Sequence, residues 1–280
     1  MLIAKKKKKT VALSNSGKTA SLKMLAGTVR NALNSKGWIV LKNFGARMTP
    51  EMQRAAFLRL NQLVGTPIGH DRAGKIIWDI KARQPGKDAN AVVTFSEHNH
   101  EADLHTDSQY SEYPEDFFSL LTLKRAACGG GESSLLSLKA ILAELRSTAE
   151  GRRHLAVLRD TDYPFIVPNV FRKHPDGKPE FAFGPILRDN EIRFRIDTIE
   201  KALAYAPEFC SAEQLAAFNF LKQLIRSSKA TQHFFLENND LIFIHNKTML
   251  HGRGSFTDPE RHLLRIRMVA HGAEQMIAAR

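Results

Sequence analysis

RHLLRIRMV, residues 261–269, is the stretch on which the fold turns. Side chains of an extended chain alternate between two faces. Arg261, Arg265 and Arg267 therefore share one face, and Leu264, Ile266 and Met268 share the other. If the strand forms a sheet edge with its apolar face on the core, the arginines stand in solvent as a basic rim. If it lines a barrel, they point inward, and a buried guanidinium needs an anion. Periodicity leaves both readings open.

Upstream, Trp38–Leu41 reads as a short buried strand. Phe117–Leu123 is a nearly continuous apolar run between Pro114 and Gly129-Gly130-Gly131, which suits a core strand leading into a tight turn. Segments 181–187, 192–196, 233–236 and 241–245 are short and apolar or alternating. Helices are expected at 51–64, after Thr49-Pro50 and ended by Gly65-Thr66-Pro67, and around Leu138, Ile141, Leu142 and Leu145. Another runs through Leu215, Phe218, Leu221 and Ile225, with Ser211 and Gln214 as a capping-box pair. Residues 81–90, with Pro85-Gly86, read as a loop, and the long stretch 151–200 as a lid. Many short strands with a few helices predict a mainly β fold, a sandwich or barrel core with flanking helices.

The chain has 280 residues, 43% hydrophobic and 25% charged, an ordinary globular composition. Its formal net charge is +12, part of which sits in Lys5–Lys9. Residues 1–10 are expected to be a basic flexible tail and 11–280 one domain. The remaining basic residues are scattered rather than striped, which speaks against a nucleic-acid partner. No apolar run approaches the roughly 20 residues that span a bilayer, and no signal-peptide pattern follows the lysines. Cys128 and Cys210 are far apart, so a disulfide framework is not expected and a reducing cytoplasm is. Gly17-Lys18-Thr19 imitates the end of a phosphate-binding loop, but Ala12 stands where its first glycine belongs.

His105-Thr106-Asp107 offers a different chemistry. At strand spacing His105 and Asp107 project from one face while Thr106 points away. Two imidazoles and a carboxylate on one face of a metal leave positions open for oxygen chemistry, the arrangement of mononuclear non-haem iron(II) sites. The second imidazole must come from elsewhere; His98, His100, His245 and His251 are present, each also readable as a surface or packed histidine.

Leu104-His105-Thr106-Asp107, then Gly130-Gly131-Glu132-Ser133, then Asn246 through His251-Gly252-Arg253, Phe256 and Arg261–Arg265 occur in that order. The set resembles the Fe(II)/2-oxoglutarate dioxygenases of the taurine dioxygenase superfamily, and the HTD and HGRGSF stretches lean toward its clavaminate synthase-like branch. The resemblance spans roughly residues 35–270. It implies a double-stranded β-helix, or jelly roll, with His105, Asp107 and His251 as metal ligands. It also implies that Arg265 and Ser133 bind the distal carboxylate of 2-oxoglutarate, with Arg261 as a second arginine of variable role. Ser133 stands where the family has Thr, and His245 where it usually has Asp.

The implied reaction oxidises an unactivated carbon and releases succinate and CO2, with hydroxylation as the default. Retention of Asp107 argues against halogenation, while desaturation and cyclisation stay open. A free or carrier-tethered amino acid or a related small specialised metabolite is the expected substrate. Gln109, Asn99, Glu97 and Arg267 are the candidates for its polar groups, and Arg188, Arg193 and Arg195 for an anionic group. The rivals are the same chemistry on a nucleobase, which the ending LLRIRMV does not favour, and a non-catalytic β-sandwich binding module.

Overall fold

A computed structural model describes residues 19–71, 73–81, 99–172, 174 and 177–273. The lysine tract, Gly17-Lys18, Glu97 and His98 lie outside the described residues.

Two antiparallel sheets form the centre. The larger contains β1 (Trp38–Leu41), β2 (Thr66–Ile68), β3 (Trp78–Lys81), β5 (Phe117–Lys124), β12 (Leu241–His245) and β14 (His262–Val269). Its order is β1-β12-β5-β14, and β2 and β3 both pair with the far edge of β14. The smaller sheet runs β11 (Gln232–Phe234), β6 (Ser133–Ser137), β13 (Met249–Arg253), β4 (Ala102–His105).

Alternation along the strands builds three apolar layers. Phe118, Ile242 and Ile244 of the large sheet meet Leu135 and Met249 of the small one, forming the interior between the sheets. The opposite face of the large sheet, with Leu121, Leu241, Phe243, Leu264, Ile266 and Met268, is covered by α1 (Thr19–Lys36) and α2 (Pro50–Val64). Capping follows the sequence at α2: the Thr49 side chain accepts the Met52 N–H and Pro50 opens the helix. The outer face of the small sheet, through Leu136 and Leu250, packs under α3 (Leu138–Ser147), α4 (Ala149–Asp160), α5 (Ile196–Tyr205) and α6 (Ala212–Ser227).

This layering decides the surroundings of RHLLRIRMV. Leu264, Ile266 and Met268 face the helices, so Arg265 and Arg267 face the interior between the sheets. The solvent-rim reading does not hold.

Other expectations change as well. Segment 151–200 is not a lid. It holds most of α4, then β7 (Tyr163–Ile166), β8 (Phe181–Gly184), β9 (Leu187–Arg188) and β10 (Glu191–Ile192), and the start of α5. Tyr163, Phe165, Ile186 and Phe194 within it are fully buried in the layer over the small sheet. The strand expected at 192–196 stops at Ile192, because Arg195 caps α5 and Ile196 already belongs to the helix. Lys81 closes β3 rather than opening a loop. Leu215 is exposed, and Ala217 takes the buried place beside Phe218 on α6. The capping box of Ser211 and Gln214 is present.

If 151–200 is core, Phe165→Ala should lower the stability measured by urea unfolding by about 3–5 kcal/mol, the usual cost of an emptied aromatic site. A loss within about 0.5 kcal/mol, typical of a surface change, would return the segment to a lid.

Candidate active site

β13 and β4 are neighbours in the small sheet, and their register sets His251 directly opposite His105. The two rings lie 4.4 Å apart between centroids. Asp107 follows just beyond the end of β4. Its carboxylate lies 3.7 Å from His105 Nε2 and 3.2 Å from His251 Nε2. One ligand atom from each of the three lies within 4.8 Å of the others, as a single metal ion requires.

The protonation states suit that use. His105 Nδ1 is 2.7 Å from the Asp103 carbonyl, so its N–H donates there and Nε2 keeps a lone pair for a metal. Burial, then the neighbouring His251 and Arg195, push the His105 pKa down to about 4, which keeps the ring neutral. Burial alone would raise the Asp107 carboxyl, yet Arg265 and His251 hold it well below the usual carboxylate range. Neutral imidazoles and an ionised carboxylate are the forms that bind Fe(II). Thr106 points away, as its parity demands: its N–H donates to the Phe194 carbonyl at 2.8 Å and its hydroxyl accepts the Phe194 N–H at 3.0 Å.

The arginines of β14 occupy two places. Arg265 donates to the Asp107 carboxylate and, at 3.3 Å, to Glu115, and lies over the Phe118 ring. Arg267 reaches Ser108 Oγ, the Gly69 carbonyl and, at 3.9 Å, Glu115. Glu115 is only 1% exposed, and two guanidiniums offset the cost of its burial.

Arg261 stands elsewhere. Its guanidinium stacks on Phe256, as does that of Arg253, each 4.8 Å from the ring centre. Burial and the charge of Arg253 push its pKa down to about 10, so it stays charged at neutral pH. Among the described residues it has no anionic partner. It lines a small cavity with Ser133, Thr122 and Gly131, where the buried Thr122 hydroxyl also has no partner among the described residues. A charged guanidinium with two hydroxyls in a buried cavity is the chemistry that receives a carboxylate. The wall of the cavity needs its glycines: a Cβ on Gly130 would meet the Ser255 carbonyl at 2.4 Å, and Gly131 has a left-handed φ of +80°.

The structure thus gathers His105, Asp107 and His251 in one cluster, and Ser133 with Arg261 around one cavity. Arg265, matched by resemblance to the Ser133 carboxylate, lies instead against Asp107. Gln109 is buried against α5, its side chain donating to Thr198 Oγ1 at 3.3 Å. Asn99 is exposed, and its carbonyl accepts the Phe256 N–H. His100 is exposed, and His245 packs edge-on to Phe117. Arg188 is exposed; Arg193 donates to the Gln109 carbonyl and lies over Phe165; Arg195 pairs with Asp197 at 2.7 Å. Sequence reading missed Glu115 and His70. His70 stacks on Trp78 beside the two arginines. Burial, then Arg265 and Arg267, drive its pKa down to about 2. Neither residue carries a spacing signal; only the tertiary packing shows them.

A sequence profile described as "Taurine catabolism dioxygenase TauD, TfdA family" matches residues 10–267. The chain belongs to this family. Like other members it is an Fe(II)/2-oxoglutarate-dependent dioxygenase, and its triad and guanidinium cavity fit the metal and the co-substrate. Solved structures share its fold, the jelly roll. An asparagine oxygenase in complex with Fe(II), 3-hydroxyasparagine and succinate has a TM-score of 0.71 at 18% identity, covering 93% of this chain and 82% of that one. The non-haem iron oxygenase OrfP with Fe and α-ketoglutaric acid gives 0.62 at 17% identity, covering 93% and 86%. PvcB from Pseudomonas aeruginosa gives 0.60 at 19% identity, covering 87% and 79%. No curated protein matches the sequence. Among the described residues no helix is long and apolar enough to cross a membrane.

The buried histidines set a pH dependence. An unfolded histidine takes a proton near pH 6.5, whereas folded His105 resists to about 4 and folded His70 to about 2. The unfolded chain binds more protons across that interval, so stability falls as pH is lowered. Metal-stripped protein should show a lower urea midpoint at pH 5 than at pH 7.5, and His70→Gln should shrink the difference. An equal or higher midpoint at pH 5 would contradict these protonation states.

Proposed function

We propose that this dioxygenase hydroxylates an unactivated carbon of a small amino-acid-like metabolite, free or held on a carrier protein, and releases succinate and CO2. The observation that carries the reading is the buried guanidinium of Arg261. It lacks an anionic partner among the described residues, and Ser133 and Thr122 line the same cavity. Arg261 and Ser133 receive the distal carboxylate of 2-oxoglutarate, while His105, Asp107 and His251 hold the iron. Bound iron and 2-oxoglutarate supply the oxidation of an unactivated C–H bond by dioxygen.

The remaining residues bind and orient. Arg265 keeps Asp107 ionised and aimed, and Arg267 with Arg265 presents positive charge to an anionic substrate group such as a carboxylate. Arg265 is answered by both Asp107 and Glu115, whereas Arg267 has only Glu115, at 3.9 Å. His70, neutral at working pH, adds a polar but uncharged wall. An amino-acid substrate is supported by the company the fold keeps, an asparagine oxygenase seen with 3-hydroxyasparagine and OrfP seen with (3S)-hydroxy-L-Arg. Cys128 and Cys210 are free thiols, which agrees with a reducing, cytoplasmic setting. Helices on the outer faces of both sheets support residues 11–280 working as one unit.

Anaerobic titration of the Fe(II)-loaded protein with 2-oxoglutarate tests the assignment. A weak visible charge-transfer band should appear, and Asp107→Ala should abolish it. Arg261→Ala should raise the half-saturating 2-oxoglutarate concentration roughly 100-fold, about 3 kcal/mol for a lost charge-assisted pair. Unchanged affinity in Arg261→Ala, with loss in Arg265→Ala, would return the carboxylate to Arg265. A succinate-release screen over free and carrier-tethered amino acids, with product analysis, names the substrate and separates hydroxylation from desaturation or cyclisation. Turnover on nucleobases alone would overturn the substrate class.

A further inference from the structure

Asn246 sits in the turn that joins β12 to β13 and is 1% exposed. Its side chain reaches two distant segments. Oδ1 accepts the Asp107 N–H at 2.8 Å, and Nδ2 donates to the Asp107 carbonyl at 3.1 Å and to the Glu115 carbonyl at 3.1 Å. Its own backbone N–H donates to the Asp116 carbonyl at 2.8 Å.

This pattern substitutes for a missing strand partner. Asp107 lies beyond β4, and both of its backbone polar groups go to the one amide of Asn246. A primary amide that accepts from an N–H and donates to the C=O of the same residue imitates a bridge between strands. It fixes the peptide planes on both sides of Asp107, and so the direction in which the carboxylate leaves the chain. Ser108, next along, has a left-handed φ of 51°, so the chain turns sharply once past this clamp. The other amide hydrogen holds the backbone of Glu115, whose carboxylate meets Arg265 and Arg267.

We propose that Asn246 is the positioning residue of this active site: it aims Asp107 at the metal and keeps Glu115 in register with Arg265 and Arg267. The inference rests on the reading of His105, Asp107 and His251 as the iron ligands. Removing the amide strands one buried and two part-buried backbone groups, and the ligand loses its fixed direction.

A comparison with another buried asparagine separates positioning from mere structure. Asn61 in α2 is fully buried, bonded to Ser119 Oγ and the Phe57 carbonyl, and belongs to the helix layer on the far face of the large sheet. Metal-stripped wild type, Asn246→Ala, Asn246→Ser and Asn61→Ala would be titrated with Co(II) and followed by visible absorption, with thermal melting of each stripped protein alongside. Asn246→Ala should weaken Co(II) binding by at least tenfold, the usual reach of a group that orients a metal ligand. Asn246→Ser, whose hydroxyl still has an acceptor for the Asp107 N–H, should fall between it and wild type, and it carries the test if Asn246→Ala does not fold. Asn61→Ala should melt lower yet bind Co(II) as wild type does. Wild-type affinity in a folded Asn246 variant, or an equal weakening in Asn61→Ala, overturns the proposal. If wild type itself binds no Co(II), the ligand-set reading fails and this inference falls with it.

Discussion

The pairing of β13 with β4 places His251 opposite His105, and every feature of the site follows from that register. A slip of β13 by one residue would turn His251 to the outer face of the small sheet, among the helices, and part it from His105. The register is secured twice, because β13 also pairs with β6 from Met249↔Ser137 to Arg253↔Ser133. The same pairing puts Ser133 at the end of β6 next to the turn that carries Arg261. One set of backbone bonds therefore spaces His105 and His251 and anchors the cavity that Ser133 and Arg261 line.

The second constraint is electrostatic. Three guanidiniums, of Arg261, Arg265 and Arg267, and two carboxylates, of Asp107 and Glu115, are held at low exposure between the sheets. An uncompensated charge there is costly. Glu115 and Asp107 answer Arg265 and Arg267, and Arg261 is left with π contact alone. Stability and function meet at that residue: a buried cation without an ion pair among the described residues lines the same cavity as Ser133 and Thr122. His70, kept neutral by its burial and then by these same arginines, adds no charge to the balance.

Much of this was legible in the sequence, and the limits have physical causes. The i, i+2 spacing of His105 and Asp107 sets them on one face whatever the sheet does. The parity of Arg261, Arg265 and Arg267 likewise gave a shared face, but not which layer that face meets. Nor does parity separate Arg261 from Arg265: Arg261 stands just before β14 by the glycine turn and Arg265 within it by Asp107, and that depends on β5 and β6. Segment 151–200 misled because short strands buried by other helices read like loop insertions until the small sheet's outer face is seen to need a cover. Asn246 stands in the ordered motif, but its bonds, like those of Glu115, go to residues far away in sequence, which no local pattern records.

Iron-edge anomalous scattering from crystals grown anaerobically with Fe(II) tests the central claim most directly. The account predicts one strong peak within about 2.0–2.3 Å of Nε2 of His105, Nε2 of His251 and a carboxylate oxygen of Asp107, a normal ligand distance for a first-row divalent ion. A peak at other side chains, or none at saturating iron, would contradict it.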